Sequence, residues 1–262
     1  MSNVIDLQRY PLDREGSPAW QQLVDQSRTA LHQHGMFNLE GFILPQALDQ
    51  ATAGILPIMN RESHTHSRTH NIYFKPQIDG LPADHPALRQ VETVSHTLCA
   101  DQLMGNLVSE VYEYPPLVRF LAAVMDKPQL HLMDDPLARV NVMSYRDGET
   151  LNWHFDRSEF TTTLMLQAPT QGGEFQYRTD LRSADDPNYA GVADLLEGRD
   201  PQVRTLALRA GTLNVFRGKN TAHRVTPVRG PHERLVAVFS YYERPGVMFS
   251  AEEQLGFYGR TA

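Results

Sequence analysis

Cysteine is almost missing from this sequence: Cys99 is the only one in 262 residues. No intrachain disulfide can form, so the fold has to stand on packing, and a reducing, cytoplasmic setting is expected. Basic charge is not in excess either. Lys and Arg number 24 against 31 Asp and Glu, for a formal net charge of −7. A nucleic-acid partner, which needs a basic face, is not expected. No apolar run approaches the roughly 20 residues that cross a bilayer, which argues against a membrane partner. The opening MSNVIDLQRYPLDREG lacks the basic start and apolar core of a secretory leader. Internal repeats and low-complexity tracts are also absent.

What remains is the composition of a globular protein, 41% hydrophobic and 21% charged. The length suits one large β-barrel with helical additions, or two small domains. Residues 1–16 read as an extended arm. Ser17 and Pro18 have the chemistry of an N-cap and a first helical position, and Gly35 that of a stop. MFNLEGFI from Met36 reads as a short strand. A second helix follows and is expected to end near Pro57. Residues 61–72 carry His64, His66 and His70. Without a Cys or carboxylate framework they read as a polar loop, a candidate lid, rather than a second metal cluster. NIYF, 71–74, has strand character, and 86–126 read as helices in two or three pieces.

After Pro128 the pattern changes. Short β-branched and aromatic runs alternate with Gly, Asp, Asn and Pro turns: RVNVMSY, LNWHFD, EFTTTLMLQA, GEFQYR, TLNVFRG, RLVAVFSYY. One helical insertion falls at about 185–198. Regular short strands predict a sandwich or barrel. The expected architecture is α+β in one domain over 1–262. Residues 1–127 would be mostly helical and packed outside, and 128–262 would form the β-barrel.

The chemistry concentrates at NWHFD. On a strand, His154 and Asp156 share a face, which sets an imidazole beside a carboxylate. Far downstream, His223 follows a strand-like run and the turn-like RGKN. Two histidines and one carboxylate make the facial triad of non-haem Fe(II) oxygenases, with the opposite face open. Arg234 then opens a β-rich run and offers a guanidinium for a carboxylate. Asn141, Met143 and Tyr145 share one strand face by parity.

Together these features resemble the Fe(II)/2-oxoglutarate-dependent oxygenases, whose pattern is HxD, a distal His, and an Arg about ten residues later. The runs NVMSYRDGETLNWHFDRSEFTTTLMLQAPTQGGEFQY, DPNYAGVADLLEG, AGTLNVFRGKNTAHRVTPVRGP and GFYGRTA are similar, over most of 70–262, to a narrower group. That group holds the bacterial free-lysine halogenases and their hydroxylating relatives. The resemblance implies that 128–262 fold as a double-stranded β-helix, the jelly-roll or cupin-like barrel, and it implies Fe(II), 2-oxoglutarate as co-substrate and O₂. It places His154, Asp156 and His223 on the metal, and Arg234 on the far carboxylate of 2-oxoglutarate. Tyr145 or Asn141 would hydrogen-bond the keto acid. It further implies hydroxylation at an aliphatic carbon of a small polar metabolite, a free amino acid such as lysine. Halogenases of this kind carry Gly or Ala where this chain has Asp156, so hydroxylation is expected here.

Substrate-reading candidates are His70, Asn71, Asp135, Arg157 and Asn220, with Arg178 and Arg217 behind them. Arg157 would oppose a cationic substrate if it faced the pocket, but by parity it points away from the triad. The tail Phe257–Arg260 is a candidate to fold back over the site. Two other readings stay open: an oxygenase of a protein or peptide side chain, and a non-redox cupin-like binding protein. The oligomeric state is left open too, a homodimer included.

Overall fold

The structure is a computed structural model describing all 262 residues. The first residues form turns, not an extended arm: Ile5, Tyr10 and Leu12 are buried, and Ile5 bridges Ile43. Helix α1 (Pro18–His34) starts where the sequence places it. Ser17 Oγ accepts the Trp20 N–H, and Gly35 ends the helix at φ 73°, a left-handed conformation that favours glycine. Strand β1 (Met36–Leu39) follows.

Helix α2 (Pro45–Glu62) runs through Pro57, which was expected to end it. An interior proline loses one helical hydrogen bond and costs about 3 kcal/mol. Ala47, Ala51, Ile55 and Met59, spaced by four, form a continuous buried face across it and outweigh that cost. Two further corrections follow. His64–His70 is strand β2, not a loop, and Val91–Leu98 is strand β3, not helix. The two pair antiparallel along their length. NIYF, conversely, is a loop. Helices α3 (Leu107–Tyr112) and α4 (Pro115–Val124) complete this half.

The remainder runs β4 (His131–Leu132), β5 (Val140–Tyr145), β6 (Leu151–His154), β7 (Thr161–Gln167), β8 (Gln171–Gly172) and β9 (Phe175–Arg178). Helix α5 (Tyr189–Leu196) interrupts. Then come β10 (Arg204–Leu206), β11 (Leu213–Phe216), β12 (Ala222–Val225), β13 (Val228–Arg229), β14 (Arg234–Phe239), β15 (Tyr241–Tyr242) and α6 (Ala251–Tyr258). The larger sheet has the order β1-β11-β7-β14-β5-β3-β2, and the smaller β10-β9-β12-β6. Within them, β11-β7-β14-β5 and β10-β9-β12-β6 are the two four-stranded layers of a double-stranded β-helix. β1 extends one edge of the larger layer, and β3 with β2 extends the other.

Alternation along the strands decides what faces where. Leu235, Ala237 and Phe239 of β14, Val140 and Val142 of β5, and Leu164 and Leu166 of β7 join the core under the helices. Their neighbours Arg234, Val236, Val238, Asn141, Met143, Tyr145 and Thr163 face a cavity between the layers. A slip of one residue would exchange the two sets, so the apolar face fixes which polar groups reach the cavity.

The C-terminal segment is tied down by a buried acid. Asp135 Oδ1 accepts the Leu137 and Ala138 N–H groups, both at 2.8 Å. Its Oδ2 accepts the Phe249 N–H at 3.0 Å and the Gln254 amide at 2.8 Å. Burial alone would push this carboxyl's pKa up. The Gln254 amide and the Ala138, Leu137 and Phe249 N–H groups outweigh burial and hold it below its ordinary value. The carboxylate therefore contributes stability at neutral pH that is lost as pH falls through the folded value. Asp135→Asn turns an amide toward these donors and costs about 2–3 kcal/mol. Faster hydrogen exchange over 249–258 with a lowered Tm is the expected result; unchanged protection would show that the carboxylate is not the tether.

Candidate active site

Strands β6 and β12 are neighbours, and His154 sits directly across from His223 in their ladder. The two rings lie 4.1 Å apart, centroid to centroid. Strand β6 ends at His154, so Asp156 lies just beyond it, its backbone N–H donating to Gly218 O at 3.1 Å. Asp156 Oδ1 is 3.4 Å from His154 Nε2, and Oδ2 is 3.4 Å from His223 Nε2. One donor atom from each of the three falls within 4.8 Å of the others.

The surroundings orient these donors. His154 Nδ1 is 2.8 Å from Asn152 O and His223 Nδ1 is 3.0 Å from Thr221 O. A carbonyl only accepts, so both Nδ1 atoms carry a hydrogen, and both Nε2 atoms are turned toward Asp156. Thr161 donates its hydroxyl to Asp156 Oδ2 at 2.6 Å. Gly218 leaves the space this requires, since a Cβ there would collide with Asp156 Oδ2 and Thr161 Oγ1. Burial pushes the Asp156 pKa up, but the facing His223 and His154 imidazoles drag it well below the usual carboxylate range. Burial lowers the His154 pKa, and the His223 charge lowers it further. Burial acts the same way on His223, but Asp156 outweighs it and raises the value. Phe216, Phe175 and Phe74 ring the imidazoles and shield them from water.

Arg234 faces the same cavity from β14, directly across from Tyr145 of β5. It is 4% exposed, its Nε has no hydrogen-bond partner, and no carboxylate pairs with it. Its guanidinium carbon lies 5.9 Å from the Tyr145 ring centroid. Burial lowers its pKa to about 10, and pushes the Tyr145 phenol up to about 12. A buried, unpaired cation is costly unless an anion arrives to meet it. Three inward donors with a buried guanidinium in one cavity fit a metal and a carboxylate-bearing co-substrate.

The other sequence candidates divide. His70 lines the cavity, but Asn71 O and the Thr93 hydroxyl hold both its ring nitrogens. Asn141 lines it too, with its amide donated to Leu137 O and its Oδ1 accepting the Tyr258 hydroxyl. Arg157 sits at the rim, contrary to the parity argument, and pairs with Glu253 at 2.8 Å. The strand has ended before it, so alternation no longer applies. Asn71, Asp135 and Asn220 are outside the cavity wall. Asn71 holds its own loop through Tyr73 and Lys75, and Asp135 is the tether already described. Arg178 pairs with Asp200 and Arg217 with Asp180, both away from the cavity.

The sequence reading missed Arg68, Lys75, Arg182 and Lys219, all on the cavity wall. For Arg68 a signal existed: in HTHSRTH every second residue from His64 is large and basic, which is strand alternation with a polar inner face. Helix α6 does fold back, and it sets Phe257 and Tyr258 into the wall. The cavity holds about 820 Å³, within the range of small-molecule sites.

A double-stranded β-helix with two imidazoles and a carboxylate converging in its mouth defines a class, the 2-oxoglutarate- and Fe(II)-dependent oxygenases. Solved structures of that class share the fold. An oxidoreductase of the 2OG-Fe(II) oxygenase family from Burkholderia pseudomallei is 15% identical, with 89% of this chain and 94% of that one covered and a TM-score of 0.53. HygX from Streptomyces hygroscopicus, with nickel and 2-oxoglutarate bound, is 12% identical over 90% of this chain and 96% of that one, at a TM-score of 0.57. The α-ketoglutarate-dependent epimerase SnoN of nogalamycin biosynthesis is 13% identical over 84% and 81%, at 0.56. No curated protein sequence matches the chain. The Halogenase D family model matches residues 19–248, and the chain belongs to that family.

Proposed function

We propose that this protein is an Fe(II)/2-oxoglutarate-dependent dioxygenase that hydroxylates an aliphatic C–H bond of a small polar metabolite, a free amino acid. The observation that carries the reading is Asp156 standing between the two imidazole Nε2 atoms, 3.4 Å from each. His154, Asp156 and His223 would hold the iron. With that carboxylate present, three protein ligands, a chelating keto acid and O₂ account for six positions, and none is left for a halide. This is why we favour hydroxylation within a family named for halogenation.

The chain's own groups have separable tasks. Arg234 would neutralise the far carboxylate of 2-oxoglutarate, with Tyr145 beside it on the wall. Thr161 and Gly218 fix the rotamer of Asp156. The Asn152 and Thr221 carbonyls fix the imidazole tautomers. The phenylalanines around the histidines keep the reacting centre dry. The bound iron and keto acid supply the oxidising power, by decarboxylation of 2-oxoglutarate to succinate with O₂. The bounded cavity, closed on one side by Phe257 and Tyr258, suits a small molecule better than a peptide. A reducing compartment such as the cytoplasm suits both a ferrous site and a chain with one buried cysteine.

Anaerobic addition of Fe(II) and 2-oxoglutarate tests the reading. A visible charge-transfer band should appear, and with O₂ and an amino-acid panel succinate should form together with a product heavier by one oxygen. A protein that shows no band is a binding module instead; a halogenated product would move it to the other branch of its family.

A further inference from the structure

The cavity's charge is lopsided. Its wall carries six Lys and Arg side chains and a single acid, Asp156, in a chain whose acids outnumber its bases. On the reading above, that acid belongs to the metal. An Fe(II) ion, the 2-oxoglutarate dianion, Asp156 and Arg234 then sum to zero among themselves. Arg157 is matched by Glu253. Four cations remain with no acid to answer them: Arg68 on β2, Lys75 in the loop after it, Arg182, and Lys219 in the turn before β12.

Arg182 is the most constrained of the four. Its guanidinium carbon lies 3.9 Å from the Phe155 ring centroid, and its Nε donates to Lys219 O at 2.8 Å. That leaves its two terminal nitrogens to bond a ligand. It is partly buried, and this desolvation pulls its pKa down, with Asp156 close enough to act against the shift. Arg68 stacks over Phe74 at 4.6 Å, and Phe74 is edge-on to His154 at 6.2 Å. Arg68 thus lies one aromatic ring away from the triad, and Arg182 stacks on Phe155, the residue between His154 and Asp156. Stacked guanidiniums are pre-organised for carboxylates.

We infer that the substrate is an amino acid with an acidic side chain, carrying net negative charge, its carboxylates held by Arg182 and Arg68 and steered by Lys75 and Lys219. This rests on the oxygenase reading and departs from the lysine expected by resemblance. A lysine ammonium would meet no acid on this wall except the one that holds the metal, and would sit among four like charges.

Anaerobic titration calorimetry on the full chain with Fe(II) and saturating 2-oxoglutarate tests it. L-Glutamate and L-aspartate are compared with L-glutamine, L-asparagine and L-lysine. At least one acid should bind about tenfold or more tighter than its own amide and than lysine. Arg182→Gln should abolish that preference while 2-oxoglutarate still titrates the charge-transfer band as in wild type, because that site rests on Arg234. Arg68→Gln, at an exposed position, should reduce the same preference and serves if Arg182→Gln does not fold. Heat with neither acid, equal or tighter binding of amide or lysine, or a preference that survives the folded variants overturns the inference and leaves the iron reading standing. A missing charge-transfer band removes the iron reading, and the inference with it.

Discussion

If the protein is the hydroxylase proposed above, Asp156→Ala should lower hydroxylation at least about a thousandfold, equivalent to ~4 kcal/mol at the barrier. The loss follows from what this carboxylate does in the site. It would be the one anionic ligand among three, it lies 3.4 Å from both imidazole Nε2 atoms, and it takes the Thr161 hydroxyl. Without it two neutral ligands remain, and the metal's charge has no counterpart from the protein. The fold should survive, because Asp156 lies just past the end of β6 and the ladder between His154 and His223 does not involve its side chain. The measurement is product mass after incubation with 2-oxoglutarate, O₂ and chloride, beside a thermal melt. Alanine here recreates the open position implied for the halogenating relatives, so the same spectrum shows whether a chlorinated product replaces the hydroxylated one. Near-wild-type hydroxylation would remove Asp156 from the metal and end the proposal.

Arg234→Met produces two opposite effects. It raises the Kd for 2-oxoglutarate by at least about 30-fold, because losing one partner of a buried charge pair costs 2 kcal/mol or more. In the ligand-free protein it stabilises the fold by about 1–4 kcal/mol, because a desolvated cation without a partner gives way to an apolar chain of similar length. Both expectations come from the same observation, a guanidinium 4% exposed with its Nε unpaired. Titration of the charge-transfer band measures the first and the ligand-free Tm the second. A lower Tm with unchanged 2-oxoglutarate affinity would show that Arg234 is structural.

The parts of the site that were legible share a cause. His154, Asp156, His223 and Arg234 are rare chemistries standing on β-rich runs, and parity alone sets Asn141, Met143 and Tyr145 on one face. The parts that were not legible share another. His64–His70 reads as a loop from sequence because a strand with a polar cavity on one side and solvent on the other shows no hydrophobic alternation. Asn71 and Asp135 read as ligand candidates from sequence because they are polar and near the motifs. A carboxylate or amide spent on backbone N–H groups is identical in sequence to one that faces a ligand, and only the fold shows which it is.

The strands after Pro128, the start of α1 and the candidate residues of the site were all legible in the chain, because strand period, capping and donor chemistry are local properties. Packing across the whole molecule is what carries α2 through Pro57, widens the larger sheet with β2 and β3, and gathers four unmatched cations from separate segments onto one wall with the triad. Those outcomes depend on burial and on charges brought together from distant parts of the chain, and neither is written in any local stretch of it.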